Sequence, residues 1–240
     1  MNNEKLNTYN LTTLWLNAVS YSEKTWDNDY FECAHIENTQ WPNRLWAKNT
    51  LSAQDLENAI TRLDLSHKGL TLSHFCTPDQ KNTLQHNAKL KLKSVQYGMS
   101  LALKNKFKTQ KNLVFRSIDH EDRANLWSDA FSKAFGYNIS VETIMKTKEK
   151  IPYYLVYSKL DVVGTVILYP TQHVAGIHSL GVIPTKRKQG FASEIMHHVL
   201  NKAIDQNLSL ATLQASVMAK PMYLKMGFSI DFIMENYQIQ

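Results

Sequence analysis

The sequence is poor in the residues that mark several classes of protein. Its two cysteines, Cys33 and Cys76, lie far apart, with no Cys-x-x-Cys pair and no histidine at metal-ligand spacing. The sequence therefore predicts neither a disulfide framework nor a metal site. Eight glycines and six prolines among 240 residues are too few for a collagen-like or low-complexity chain. These shortages leave a globular protein of a reducing compartment as the expectation.

Long apolar stretches are also missing. The longest, residues 162–169, is far below the roughly 20 residues that a membrane-spanning helix needs. The first ten residues, MNNEKLNTYN, contain no apolar core of a secretory signal. The sequence therefore predicts a cytoplasmic protein with no membrane partner.

The excess of positive charge is small and evenly spread. Lys and Arg number 27 against 21 Asp and Glu, and the excess is +3 on either side of the boundary after Gln110. The run at residues 89–93 alternates lysine with leucine, which places its lysines on one face of a strand. No aromatic residue lies between these lysines to stack on a base. We therefore expect no nucleic-acid partner, and the mild charge favours an anionic cofactor or simple solubility.

The sequence does contain enough apolar material for a sizeable core. Apolar residues make up 43% and charged residues 20% of the chain, close to the globular average. Its length suits one large domain or two small ones. A polar, basic segment at residues 105–112 separates two patterned regions and predicts a linker between domains 1–104 and 113–240.

The first region predicts a helix followed by alternating strands and helices. Leu11, Leu14, Trp15 and Ala18 have the i, i+3, i+4, i+7 spacing of a helix, predicted here over residues 8–20. The pattern of residues 21–42 does not indicate a helix or a strand. From there the pattern predicts strand 44–47, a helix from Ser52 to Leu63, strand 70–75, a helix near Pro78 and strand 89–103.

The second region predicts a mixed α/β sheet, because strands joined in hairpins come first and alternate with helices later. The predicted strands are 113–118, 152–158, 162–169, 174–182, 209–214 and 228–239, and the predicted helices are 119–135, 190–205 and 221–226. Both regions end in a short helix that leads into a long strand. This leaves two interpretations open, a degenerate internal duplication and two unrelated α/β units.

The strongest local motif lies in residues 180–192. A strand ends at Val182, a basic turn follows, and Arg187-x-x-Gly190-x-Ala192 begins an amphipathic helix. Unpaired backbone N–H groups and the helix dipole meet at such a point, which favours phosphate binding. An ordinary turn that contains a glycine is the alternative. Neither a dinucleotide fingerprint nor a Walker loop is present.

A second motif follows the next predicted strand, in residues 215–228, where the sequence has the pattern A-S-x-x-A-x-x-x-Y-x-K-x-G-F. Together the two motifs resemble the GNAT superfamily of acyl-CoA-dependent N-acetyltransferases, in which the first motif is the pyrophosphate loop. The resemblance covers roughly residues 113–240. It implies an acyl-CoA N-acyltransferase fold, acetyl-CoA as co-substrate, no metal, and a small-molecule or peptide amine as the acceptor.

The resemblance also implies a set of residues that bind acetyl-CoA. The backbone of Leu180 and Val182 would pair with the pantetheine arm, and Gly181 would lie where the sheet splays or bulges. Ser216 would contact the cofactor, with a strand-end cap as the alternative. The amides that would hold the pyrophosphate belong to Arg187, Lys188, Gln189, Gly190, Phe191 and Ala192.

Two residues are catalytic candidates. Tyr223 matches the tyrosine that protonates the departing thiolate in the family, and a phenol is a neutral donor at pH 7. Packing in the core is the alternative for Tyr223. His178 is a candidate general base, directly or through water, or else a structural histidine. By alternation it is expected to share a face with Gly176, Leu180 and Val182. Gly176 replaces a glutamate found in many members of the family.

The sequence therefore predicts an N-acetyltransferase that transfers acetyl to a primary amine by direct attack in a ternary complex. A non-catalytic, acyl-CoA-binding regulatory module is the alternative. The aromatic residues of 131–137 and Glu142 fall where the family has its acceptor site, although core packing with a surface carboxylate would also explain them. Residues 1–104 are expected to form a degenerate GNAT-like domain that binds no CoA, because the turn at residues 43–52 has no glycine.

Overall fold

The helices and strands follow the predicted order closely. The computed structural model describes residues 2–22, 30–37, 39–49, 51–65, 69–81 and 84–240. Within them the strands are β1 (Phe31–Ala34), β2 (Arg44–Ala47), β3 (Thr71–Cys76), β4 (Leu90–Ala102), β5 (Leu113–Ser117), β6 (Tyr153–Ser158), β7 (Asp161–Thr171), β8 (Val174–Val182), β9 (Leu210–Ser216) and β10 (Ser229–Ile239). The α-helices are α1 (Asn3–Ala18), α2 (Ala53–Leu65), α3 (Glu121–Phe135), α4 (Val141–Thr147), α5 (Phe191–Asp205) and α6 (Lys220–Lys225). The helix predicted near Pro78 is a single 3₁₀ turn, Pro78–Gln80, and the sequence did not predict β1 or α4.

None of the helices described has the length and apolar character needed to cross a membrane.

The described strands form one mixed sheet, in the order β1-β2-β3-β10-β4-β9-β8-β7-β6-β5. The neighbours β2 and β3 are parallel, as are β8 and β9, and the remaining neighbours are antiparallel. The last strand, β10, lies between β3 and β4, while β4 lies between β10 and β9. Each half of the chain therefore contributes a strand that pairs with the other half. The prediction of a mixed α/β sheet is confirmed.

The strand pairings repeat on the two sides of the β4–β10 pair. On one side β1 is antiparallel to β2, β2 is parallel to β3, and β3 is antiparallel to β10. On the other side β7, β8, β9 and β4 are related in the same way. Helix α2 connects β2 to β3 as α5 connects β8 to β9. An internal duplication would produce this connectivity, and the division into residues 1–104 and 113–240 remains a prediction.

Helices cover both faces of the sheet. Neighbouring residues of one strand belong to different cores: Leu155 packs with α1 and α3, whereas Val156 packs with α5. Likewise Trp46 belongs to the α1 side, whereas Leu45 packs with α2. Because successive side chains of a strand point to opposite faces, α1, α3 and α4 lie on one face and α2 and α5 on the other.

Helix α1 is attached to the sheet by apolar and polar contacts. The predicted apolar face is confirmed, since Leu11, Leu14, Trp15 and Ala18 are all buried. The helix begins five residues earlier than predicted because the Asn2 side chain caps it by accepting a hydrogen bond from the Lys5 amide.

Two further α1 side chains, Asn7 and Asn10, are buried and hydrogen-bonded. Asn7 donates from Nδ2 to the carbonyl of Met99 at 3.1 Å, and Asn10 donates to the carbonyl of Tyr169 at 2.9 Å. A buried amide needs such partners, so these bonds fix the position of α1 across β4 and β7.

The predicted linker is bound to α5. The Phe107 amide donates to Asn201 Oδ1 at 2.7 Å, and Asn201 Nδ2 donates back to the Phe107 carbonyl at 2.8 Å. Glu194, a buried residue of the same helix, accepts hydrogen bonds from the amides of Gln110 and Lys111. Residues 105–112 therefore hold a defined path along α5.

Candidate functional site

Strands β8 and β9 separate part-way along their length. Their parallel pairing ends at Gly176 opposite Thr212. Beyond this point β8 stays paired with β7 as far as Val182, and β9 stays paired with β4 as far as Ser216. The two strands therefore diverge and leave an opening in the sheet.

A tight turn after β8 leads into α5 through Gly190. This residue precedes the helix with a φ of 79°, in the left-handed region. A Cβ placed on Gly190 would meet only Lys111 Cε, at 3.8 Å. A Cβ would therefore fit at this position, and it is the left-handed backbone conformation that favours glycine.

The backbone amides of this turn point away from protein acceptors. The N–H groups of residues 188–192 donate no hydrogen bond to any described group. The first amides of a helix lack intrahelical acceptors, and the helix dipole adds partial positive charge at the same point. Five unpaired donors at one helix terminus fit the phosphate-binding loop that the motif predicts.

Two of the basic residues of the turn have partners within the protein. Lys186 forms an ion pair with Asp161 at 2.6 Å. Arg187 donates to the carbonyls of Val182 and Ala134 at 3.2 and 2.8 Å, so it binds the turn to β8 and α3. The guanidinium of Arg187 therefore supports the turn, which the sequence pattern did not indicate.

A lysine from the predicted linker lies beside the turn. The ammonium of Lys111 is 5.2 Å from the ring centre of Phe191. Among the described residues neither Lys111 nor Lys188 forms an ion pair. Sequence reasoning missed Lys111 because hydrogen bonds between distant residues, including those from its amide and that of Gln110 to Glu194, bring this segment to α5.

A bulge in β8 changes which side chains share a face. Thr165 of β7 pairs with Gly181 and Ile167 pairs with His178, so Ser179 and Leu180 together oppose one residue. Ser179 has a φ of 52°, and its carbonyl accepts a hydrogen bond from the Thr165 hydroxyl at 2.9 Å.

The predicted alternation along β8 is wrong because of this bulge. His178 contacts α1, and a Cβ on Gly181 would lie 2.4 Å from Phe135 of α3. Leu180 and Val182 instead pack with the core beneath α5. His178 therefore shares a face with Gly176 and Gly181, and not with Leu180 or Val182. The absence of a side chain at Gly181 leaves space for α3. The residue of the bulge with a positive φ is Ser179, not Gly181.

A cavity of about 770 Å³ occupies the opening between β8 and β9. Its wall near α6 consists of Leu180, Ala215, Ser216, Ala219 and Tyr223. His178 and Gln214 lie on the two diverging strands. The remainder is lined mainly by residues of α3 and the segment after it and by residues from the first half of the chain, several of them aromatic or basic. Leu180, Ser216, Tyr223 and His178 thus border one space, which residues 187–192 do not line.

Tyr223 is a buried residue of the cavity wall. Its ring packs edge-on against Phe228, with centres 5.7 Å apart. No hydrogen bond of its hydroxyl is found in the described part of the chain. Burial raises the pKa of Tyr223 above its ordinary value, so the phenol is protonated at neutral pH. The geometry accommodates both predicted roles, packing and proton donation.

His178 is held in one tautomer by Asn10. The amide nitrogen of Asn10 donates to the Tyr169 carbonyl and to the Thr171 hydroxyl, so its Oδ1 faces the imidazole. His178 Nε2 lies 2.8 Å from that oxygen and must be the donor. Burial lowers the pKa of His178 to about 4, an effect that the nearby Gln214 side chain partly opposes. The ring is therefore neutral at pH 7, with Nδ1 as an acceptor.

The other predicted residues are divided between the cavity and the protein surface. Ser216 lines the cavity, and its Oγ also accepts a hydrogen bond from the Ala219 amide at 3.2 Å, which caps the turn before α6. Phe131 and Phe135 line the cavity, whereas Glu142 does not and lies on α4 near Tyr21.

Sequence reasoning missed the wall that the first half of the chain supplies. It consists of Trp15, Trp41, Arg44, Thr71, Lys93 and their neighbours. No local motif indicates these residues, since contacts between distant segments, such as the pairing of β10 with β3 and β4, bring them to the cavity.

Comparison with known proteins agrees with this geometry. The family model described as the acetyltransferase (GNAT) family matches residues 115–228. The similarity to the GNAT family is therefore shown for these residues, a little under half of the chain. The matched range contains the opening between β8 and β9, the turn before α5 and Tyr223. No curated protein matches the chain in sequence.

Solved structures extend the GNAT fold to most of the chain. A GCN5-related N-acetyltransferase from Kribbella flavida has a TM-score of 0.69 at 11% identity and covers 95% of this chain and 93% of its own. A GCN5-related N-acetyltransferase from Sphaerobacter thermophilus has a TM-score of 0.59 at 15% identity, with coverages of 87% and 76%. A conserved protein of unknown function from Staphylococcus epidermidis gives 0.58 at 16% identity, with coverages of 88% and 91%. At these identities the similarity establishes the fold alone.

Proposed function

We propose that this protein transfers an acetyl group from acetyl-CoA to a primary amine by direct attack within a ternary complex. The family and the fold support acetyl transfer in general. One observation carries the finer proposal: the five unpaired amides of residues 188–192 lie beside diverging strands whose opening leads to a cavity lined by Tyr223.

The turn before α5 suits the pyrophosphate of acetyl-CoA. The amides from Lys188 to Ala192 would donate to its oxygens, and the ammonium groups of Lys188 and Lys111 would balance its charge. Arg187 contributes its backbone and supports the turn through its bonds to Val182 and Ala134.

The opening between the strands suits the pantetheine arm. Beyond Gly176 the edge of β8 that faces β9 has no strand partner, so backbone groups near Leu180 and Val182 can pair with the amides of the arm. Ser216 lies on the opposite edge of the opening. The thioester would then lie in the cavity near Tyr223.

The acetyl transfer itself requires two bonds to change and one proton to move. The lone pair of the neutral amine attacks the thioester carbonyl carbon, the new C–N bond forms, and the C–S bond breaks. Tyr223 donates its proton to the departing sulfur, and the proton lost by the amine restores the phenol through solvent. Positioning of the two reactants supplies much of the rate enhancement.

His178 serves this reaction as a hydrogen-bond acceptor. A group whose pKa is about 4 is a poor carrier of the amine proton at pH 7. Its Nδ1 lone pair, however, can orient the amine or a water molecule, because the bond to Asn10 fixes the ring. Deprotonation of the amine then depends on solvent or on the orienting water.

Mixing the protein with acetyl-CoA and a panel of primary amines tests the proposal. We expect release of the CoA thiol together with an acetylated product detected by mass spectrometry. Binding of acetyl-CoA without transfer to any amine would support the regulatory module, and failure to bind acetyl-CoA would overturn both functions.

A further inference from the structure

Arg44 of β2 lines the cavity, and its guanidinium has no hydrogen-bond or ion-pair partner among the described residues. Its Nε atom is buried and donates no hydrogen bond to any described group. The ring of Trp15 lies beside it, with its centre 5.8 Å from Cζ, and the phenol of Tyr137 is close enough to interact with its charge. An Nε–H that is buried without an acceptor is costly to the fold, so a ligand that accepts its hydrogen bond would offset that cost.

The surroundings of Arg44 strengthen the positive potential. Lys93 lines the same cavity, and burial together with the charge of Arg44 lowers its pKa. None of the described residues that line the cavity is an Asp or a Glu. This end of the cavity therefore attracts anions and repels a second ammonium group.

An anion bound to Arg44 would not be a phosphate of acetyl-CoA, if acetyl-CoA binds at the turn before α5. None of residues 187–192 lines the cavity. Arg44 lies on β2, four strand steps from β9 in the sheet. At ~4.8 Å per step this is roughly 19 Å along the sheet, which places Arg44 at the opposite end from the acetyl-transfer chemistry.

We propose that the acceptor is an elongated primary amine whose far end carries an oxyanion, a carboxylate or a phosphate, and that Arg44 binds this oxyanion. The inference rests on the proposed function and names its substrate class. A guanidinium presents paired N–H donors that match either oxyanion. The rings of Trp15, Trp41 and Tyr137 line the same cavity and suit an apolar body.

Four amines of equal chain length test this inference: 8-aminooctanoate, 8-aminooctyl phosphate, octylamine and 1,8-diaminooctane. We expect kcat/KM to be about 100-fold higher for at least one anionic amine than for the diamine, the usual value of a charged hydrogen-bonded pair. The better of the two anionic amines identifies the oxyanion.

Variants locate the effect. In Arg44→Gln the preference for the anionic amine over octylamine should be lost, and in Arg44→Lys it should be partly retained. The matched control is Arg116→Gln, which removes an exposed arginine on the remote strand β5 and should keep the preference. Equal kcat/KM for all four amines, or an Arg44→Gln variant that retains the preference, would overturn the inference.

A binding measurement separates this inference from the proposed function. Calorimetry with N-acetyl-8-aminooctanoate and its phosphate counterpart reports on Arg44 without any turnover. At least one should bind the parent protein and bind Arg44→Gln about 100-fold more weakly. If acetyl-CoA binds and amines are acetylated while neither compound depends on Arg44, the inference fails and the proposed function stands. If neither acetyl-CoA binding nor acetylation occurs, the proposed function is wrong, and the inference that rests on it is overturned as well.

Discussion

His178 Nε2 donates a hydrogen bond to Asn10 Oδ1 over 2.8 Å, which connects the first helix to the strand beside the cavity. The two residues are 168 positions apart in the chain. Because the amide nitrogen of Asn10 is engaged with β7, the bond fixes both the orientation and the tautomer of the imidazole. The first half of the chain thus controls the state of a histidine that faces the proposed chemistry.

The burial of His178 predicts a pH dependence of stability. Its folded pKa of about 4 is lower than the usual 6.5, so between these values the unfolded state binds more protons. Stability is then complete above about pH 6.5 and falls as the pH drops toward 4, by about 3 kcal/mol in full. His178→Gln retains an N–H donor for Asn10 and should remove this part of the dependence.

Urea unfolding of both proteins at several values between pH 7 and pH 4 measures this effect. His74 is also a histidine whose pKa burial lowers, but it is present in both proteins and cancels in the difference. Parallel curves for the two proteins would show that His178 does not titrate in this way.

Gly190→Val should weaken acetyl-CoA binding by about 10–100-fold. Valine resists the left-handed conformation that Gly190 adopts at a φ of 79°, and the cost of about 1–3 kcal/mol would shift the turn and its amides. Calorimetric titration with acetyl-CoA measures the loss.

Gly136→Val is the matched control for backbone strain. Gly136 has a φ of 80° after α3, with open space around a Cβ, so its variant should lose similar stability while retaining acetyl-CoA affinity. Unchanged affinity in a folded Gly190→Val protein would remove the pyrophosphate from this turn.

Tyr223→Phe should lower kcat by roughly 10²–10⁴-fold with little change in acetyl-CoA affinity or stability. The hydroxyl makes no hydrogen bond in the described structure, so its removal leaves the packing against Phe228 intact. Steady-state kinetics with an accepted amine measures the change.

Tyr153→Phe provides the contrast, because the Tyr153 hydroxyl is bonded to Thr147 at 2.9 Å, within a different core. That variant should lose about 1 kcal/mol of stability and keep its kcat. A Tyr223→Phe enzyme with full kcat would make Tyr223 a packing residue.

Local signals in the sequence predicted the parts of the fold and site that depend on neighbouring residues. The face of α1 follows from helical spacing, and the turn before α5 follows from its glycine and the strand ahead of it. Ser52 was correctly expected at the start of α2, where its Oγ accepts from the Asp55 amide. In each case the determining residues lie within a few positions of one another.

The remaining features depend on contacts between distant segments. The bulge at Ser179 inverts the faces of Leu180 and Val182, and it depends on the Thr165 hydroxyl of another strand. Glu194 has the sequence context of an ordinary helix residue, yet it binds the amides of Gln110 and Lys111. Periodicity alone carries no information about either partner.

Acetyl-CoA should bind the intact chain at one site. The first turn of α2 corresponds in connectivity to that of α5, but Asp55 Oδ2 accepts hydrogen bonds from the Ser52 amide and hydroxyl. A carboxylate at this helix terminus occupies donors and repels a phosphate. Calorimetry should give one equivalent per chain, and a second saturable site would contradict a degenerate first half.

The chain 108–240, produced alone, should be poorly soluble. It lacks β4, which pairs with β9 on one side and with β10 on the other, so both strands would present open edges. Such edges recruit other chains, and the loss of α1 would uncover the core around Trp127.

Production of residues 1–107 together with 108–240 tests whether the missing strand is the cause. The two pieces should form a soluble complex that binds acetyl-CoA, because β4 can then occupy its place between β9 and β10. The control is the uncut full chain, and the complex should bind acetyl-CoA with nearly the same affinity. If residues 108–240 alone remain soluble, monomeric and able to bind acetyl-CoA with the affinity of the full chain, β4 is dispensable to the site.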